Sequence, residues 1–198
     1  RVISINRAAP GFAAWRGLPA PAWREEGPGH QSLRYRAPGR GLFHRTLLRR
    51  LGDALAERLA REGVPALLVG HKLTIEGFAV ARAARLLGIP YALSIQGNTD
   101  TRILNARPDL GPALARIWHE AAVVFPFAPW AQARIEAKLG QRAGPVVPLP
   151  CATPLDTPLP PRPGGEALVT AFHLHNWRGK NLPRLAAPPP QARRPGPG

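Results

Sequence analysis

The sequence predicts an α/β fold in which a parallel sheet is threaded through right-handed helical crossovers. Three observations predict it. Residues 66–97 read ALLVGHKLTIEGFAVARAARLLGIPYALSIQG, an apolar run, a helical pattern and a second apolar run. Neither run alternates in polarity, which is the pattern of strands covered by helices on both faces. Short apolar runs and helical patterns then keep alternating along the chain, as they do in linked βαβ units. Both strands of this unit end in a Gly-containing corner, Gly70-His71 and Gln96-Gly97. Ligands of open α/β sheets bind beyond the carboxyl ends of the strands, so these corners are the first candidates for function.

Taken in order, Val2–Ile5 is a β-branched run that reads as a strand. Residues 8–30 hold Pro10, Gly11, Gly17, Pro19, Pro21, Gly27, Pro28 and Gly29, and so many breakers predict a long irregular segment. In Ser32–Arg36 the arginines alternate with Leu33 and Tyr35, the period of a half-exposed strand. Leu42–Arg61 is the best helix, since Leu47, Leu48, Leu51, Leu55 and Leu59 form one apolar stripe. Gly63 is placed to cap it and Pro65 follows. Next comes the strand from Ala66 to Val69, a helix from about Leu73 to Leu87 stopped by Gly88, and the strand Tyr91–Ile95.

The stretch Asn98–Arg102 is polar and reads as a loop. A helix is expected from about Leu110 to Glu120 with Asp109 as its N-cap. Ala121–Phe125 reads as a strand, Trp130–Leu139 as a helix closed by Gly140, and Val146–Leu149 as a further strand. Residues 150–165 (PCATPLDTPLPPRPGG) have the composition of a semi-rigid linker. The expected organisation is therefore a first domain over residues 1–149, a linker over 150–165, the start of a second domain over 166–187 and a low-complexity tail over 188–198. Within the second, Ala167–Phe172 reads as a strand, His173–Lys180 as a polar loop and Asn181–Ala187 as the start of a helix.

Composition bounds the partners. The chain has 198 residues, 44% of them hydrophobic, enough for a real core. No apolar window is long enough to span a bilayer. The formal charge of +15 points to a nucleic acid or an anionic membrane surface. Its bland source is a GC-rich coding sequence, because Lys occurs only at 72, 138 and 180 and the arginines are scattered without a dense basic run. Nucleic acid is disfavoured for want of interleaved stacking aromatics; peripheral contact with an anionic membrane is the better of the two. One cysteine, Cys151, fits a reducing, cytoplasmic compartment. The chain lacks Met, including at position 1, so it is expected to be a fragment.

Three stretches together resemble a known family. ARLLGIPYALSIQG after a Gly-His strand end is similar to the "GiPyvlsiHG" pattern of the GT-B fold glycosyltransferases. Ala121–Phe125 followed by Ala128 and a helix, then VVPLPCATPLD, is similar to that family's approach to its interdomain segment. ALVTAFHLHNWRGKNLPRLAA is similar to the first strand and loop of its second domain. Over residues 64–187 the chain thus resembles the retaining bacterial nucleotide-sugar glycosyltransferases of the family 4 type. The resemblance implies a Rossmann-like acceptor-side domain followed by the start of a second Rossmann-like, donor-side domain. It also implies transfer of a sugar from a nucleotide-diphosphate donor to a glycan or lipid-linked acceptor, as in bacterial polysaccharide biosynthesis, at the inner face of the cell membrane. Gln96 stands where His is common and Phe172-His173 where Gly-Arg is common. The paired glutamates that grip the donor sugar in this family would lie further on, so this chain alone is expected to be inactive and its parent active. No cofactor is expected.

Such a transfer needs a stabilised diphosphate leaving group, a positioned acceptor hydroxyl and exclusion of water. Lys180, with Arg178 and His173, is placed to meet the diphosphate, in a Gly-containing loop before a helix. His71 is the candidate base, with Gly70, Gln96, Gly97, Asn98 and Asp100 as acceptor-binding residues around it. The structural alternative is that His71 is a strand-end histidine, Gly97 permits a tight turn and the cations are solvated. Glu76 is either an acid or base, or compensates the helix dipole. His173 and His175 have no third ligand near, so no metal is expected. Nucleotide-binding P-loop, dinucleotide and serine-hydrolase motifs are not present. The competing function is a non-catalytic Rossmann-like binding module that offers a basic surface to nucleic acid or an anionic membrane. A two-domain epimerase is a third reading.

Overall fold

The computed structural model describes residues 1–8, 20–38, 42–150 and 182–186. The chain forms two compact units, Arg1–Ala152 and Thr153–Gly198. In the second unit the described part is one short helix, Leu182–Ala186, where a helix was expected to begin.

The first unit is α/β. Its strands are β1 (Val2–Ala8), β2 (Ala22–Gly27), β3 (His30–Arg36), β4 (Leu68–Gly70), β5 (Tyr91–Ile95) and β6 (Val123–Pro126). Its helices are α1 (His44–Glu62), α2 (Glu76–Leu87), α3 (Asn98–Ala106), α4 (Gly111–Glu120) and α5 (Pro129–Leu139); the short helix of the second unit is α6. The described strands make two three-stranded sheets, not one. β4-β5-β6 is all parallel, while β1-β3-β2 is mixed, with β1 parallel and β2 antiparallel to the central β3.

The leucine stripe builds the core as the periodicity predicts. Leu47, Leu48, Leu51, Leu55 and Leu59 are all buried on α1, which packs along α2. Gly52 allows that approach: a Cβ there would sit 2.6 Å from Arg82 Cβ and 2.8 Å from the Ala79 carbonyl oxygen. Gly88 closes α2 in the left-handed region, its N–H donating to the Ala84 carbonyl. All five residues of β5 are buried, as a central strand requires. β4 departs from the expectation of strands covered on two faces: it is an edge, and Val69 is exposed.

Other departures have local causes. The breaker-rich segment contains a strand after all, because β2 turns back on β3 through Pro28-Gly29, with Gly29 at φ 69°. Asn98–Arg102 is not a loop: Gly97, at φ 94°, releases the chain from β5 straight into α3. Asp109 does not cap α4. It lies in a 3-10 turn, Pro108–Leu110, and its carboxylate takes both Nε and Nη2 of Arg107 at 2.8 and 2.7 Å. The stretch expected as a strand at Val146–Leu149 does lie parallel to β6, with the Val147 and Leu149 N–H groups donating to the Val124 and Pro126 carbonyls. It makes only one bridge, Val146 to Val124, because Pro126 has no N–H to return to it.

Candidate functional site

The residues that follow β4 and β5 converge. His71 leaves β4, Gln96 leaves β5, and the Gln96 amide meets His71 Nε2. With the amide NH2 as donor, the imidazole carries its proton on Nδ1. The imidazole lies 5.7 Å, centroid to centroid, from the ring of Phe127, tilted 60° to it, just past the end of β6. So three adjacent parallel strands deliver an imidazole, an amide and an aromatic ring to one spot beyond their carboxyl ends.

Gly70 and Gly97 lie where neighbouring side chains leave little or no room for a Cβ. A Cβ on Gly70 would come within 3.2 Å of Leu93 Cδ2 and 3.4 Å of Val80 Cγ2. At Gly97 a side chain is excluded twice, by the positive φ and by Trp130 and Ala131, whose Cη2 and Cβ would lie 2.7 and 2.8 Å from a Cβ. Asn98 stays at the surface, with its Oδ1 accepting from Arg134 at 3.5 Å.

Asp100 is corrected by the structure. Expected to face a ligand from a polar loop, it is fully buried in the first turn of α3. One carboxylate oxygen accepts the Thr74 N–H at 3.0 Å and the Thr74 hydroxyl at 2.8 Å. Burial pushes its carboxyl above the usual range, against the N–H and hydroxyl of Thr74, the Gly97 N–H and the charge of Lys72. It is a brace between the turn after β4 and the start of α3.

The residue the sequence undervalued is Glu76. It opens α2, where an acid commonly does no more than offset the helix dipole. Here it is half-buried, with Oε2 shielded from water and without a hydrogen-bond partner. Burial raises its carboxyl above the ordinary range; Lys72 and His71 oppose that and Asp100 adds to it. His44, at the start of α1, closes the back of the site by donating a ring N–H to the Thr74 carbonyl at 3.2 Å, and burial lowers its pKa. The signal available in the sequence was Glu76 placed five residues after a Gly-His strand end.

His71 and Glu76 both line a cavity of about 760 Å³. It runs between the outer edges of β1 and β4, with Ser4 and Asn6 on one wall, Leu68 and Val69 on the other, and Leu55 and Leu59 of α1 as its floor. That size is within the roughly 300–1,000 Å³ of small-molecule sites. An imidazole, a carboxyl whose pKa burial raises, an Asn and a Ser along one cavity can bind hydroxyl groups and exchange protons with them.

Lys180, Arg178 and His173, the expected diphosphate ligands, lie outside the described residues, as does Cys151. Among the described residues no three His, Cys, Asp or Glu side chains cluster as metal ligands, and no helix is long and apolar enough to cross a membrane. No family model, curated protein or solved structure matches this chain.

Proposed function

We propose that the first unit is the acceptor-binding half of a GT-B type glycosyltransferase, which takes a sugar from a nucleotide-diphosphate donor to a glycan or lipid-linked acceptor. The observation that carries this reading is the pairing of His71 with Gln96, with His71 and the half-buried Glu76 both lining the cavity between β1 and β4. In it, the acceptor hydroxyl is held by the His71–Gln96 pair, and Glu76 lines the same cavity as His71. Support comes also from the place of the group beyond the carboxyl ends of parallel strands and from the sequence resemblance over residues 64–187.

The test is binding of the acceptor. Free hexoses, N-acetylhexosamines and short glycans are titrated while amide chemical shifts are followed. The expected result is a saturable shift at Gly70–Lys72 and Gln96–Asn98, weakened about tenfold by His71→Ala or Gln96→Ala, with unchanged melting. If none of these saccharides shifts those amides, the reading fails.

A further inference from the structure

A second concave surface shares no residue with the first. It is a groove of about 380 Å³ along α2, walled by α1 on one side and α4 on the other. Phe78, Ala81 and Ile117 floor it. Its rim carries five arginines: Arg45 and Arg49 from α1, Arg82 and Arg85 from α2, and Arg116 from α4. Among the described residues the one acid on the rim, Asp109, is already held by Arg107.

The arrangement works against the fold. Arg45 and Arg49 are four apart on one helix and Arg82 and Arg85 three apart on the next, both spacings at which like charges repel. Arg82 and Arg85 are offset by Asp53 at 2.7 Å and Glu120 at 2.9 Å. Arg45, Arg49 and Arg116 have no ion pair or hydrogen bond with any described residue. A GC-rich coding sequence accounts for arginine in place of lysine, but not for five guanidinium groups from three helices turned to one groove.

We propose that this groove binds a soluble ligand carrying two or more phosphate groups. Planar guanidinium forks grip phosphate oxygens two at a time, and several around one concavity suit a multiply charged oligophosphate. The volume falls at the small end of ligand sites, fitting a compact anion. A bilayer is the poorer occupant, because none of the exposed large apolar side chains among the described residues lines the groove to insert among lipids.

Inorganic tripolyphosphate is the probe, titrated calorimetrically into the full chain at roughly 50 and 200 mM salt. The expected result is saturable binding at one site per chain. It should weaken about tenfold or more when Arg45, Arg49 and Arg116 are all changed to Gln. A control changing the exposed Arg24, Arg61 and Arg102 to Gln removes the same charge from elsewhere and should stay within about twofold of wild type. If the first triple variant melts early, Arg49→Gln and Arg116→Gln are read singly, each against Arg61→Gln. Equal losses in groove and control variants would reduce the effect to net charge and overturn the proposal. So would absence of saturation, or binding to phosphatidylglycerol vesicles with none to tripolyphosphate.

Discussion

Thr74 gives both its backbone N–H and its hydroxyl to a single oxygen of Asp100, at 3.0 and 2.8 Å, across 26 residues of sequence and in full burial. This double bond of donors ties the turn that presents His71 and Glu76 to the helix that follows Gln96-Gly97. Asp100→Ala removes both acceptor contacts and strands two buried donors, so it is expected to cost about 2–4 kcal/mol. Urea unfolding measures it. A loss below about 0.5 kcal/mol, the range of ordinary surface changes, would show that the brace is dispensable.

The same carboxyl sets a pH dependence. Burial raises the folded pKa of both Asp100 and Glu76. An acid with a raised folded pKa binds its proton more tightly when folded. Its contribution to stability is therefore full below the unfolded value, about 4, and is lost as pH rises through the raised folded value. Asp100→Asn keeps an oxygen for Thr74 and cannot titrate. The stability difference between wild type and this variant is thus expected to move against wild type as pH rises from acid to neutral. Glu76→Gln should act in the same direction. A difference independent of pH would mean that burial raises the pKa of neither group.

Gly97 is expected to tolerate no side chain. Gly97→Ala meets both the positive φ and the indole of Trp130, and should cost about 2–4 kcal/mol. Trp130 is partly exposed and can be trimmed. In a Trp130→Ala background the cost should fall by about 1 kcal/mol yet not vanish, because the dihedral strain and the Ala131 contact remain. Equal costs in the two backgrounds would place the indole away from Gly97 in solution.

Elements with one-dimensional signatures were legible in the sequence. The α1 stripe needed only its leucine spacing, β5 only its length and its Gly88-Pro90 lead-in, and His71 and Gln96 only their places at strand ends. What escaped depended on partners distant in sequence. Asn-Thr-Asp-Thr reads as loop until Gly97 is known to open a helix and Thr74 to receive Asp100. β2 was hidden because Pro28-Gly29 looks like disorder unless β3 is there to pair. The division into two sheets leaves no mark in any strand's own residues. The arginine groove is invisible for the same reason, since its five members come from three helices, each with an ordinary spacing of charge.

Gly52 inverts the usual propensity rule. In an exposed helix interior, Gly→Ala is worth up to about 1 kcal/mol of added stability. On α1 the new methyl would be driven into Arg82 Cβ and the Ala79 carbonyl, backbone and stem atoms that cannot swing aside. Gly52→Ala is expected to destabilise by about 1–3 kcal/mol and, by levering α1 off α2, to shift the amides that line the arginine groove. Gain of stability would show that the two helices are separated by more than the structure places between them.

Arg142 carries the last prediction. It is buried, lies 5.7 Å from the Trp118 ring centroid, and donates to the carbonyls of Trp118 and Ala121 where α4 gives way to β6. Burial lowers its pKa, but a guanidinium starts so high that it keeps its charge throughout the neutral range. Arg142→Ala leaves two carbonyls at a helix end without donors and exposes the indole. The expected cost is about 2–4 kcal/mol. Lysine should recover less than half, because one ammonium cannot reproduce a planar fork that bridges two carbonyls while lying against a ring. Full recovery by lysine would mean that charge near the end of α4, and not the fork geometry, is what the fold uses there.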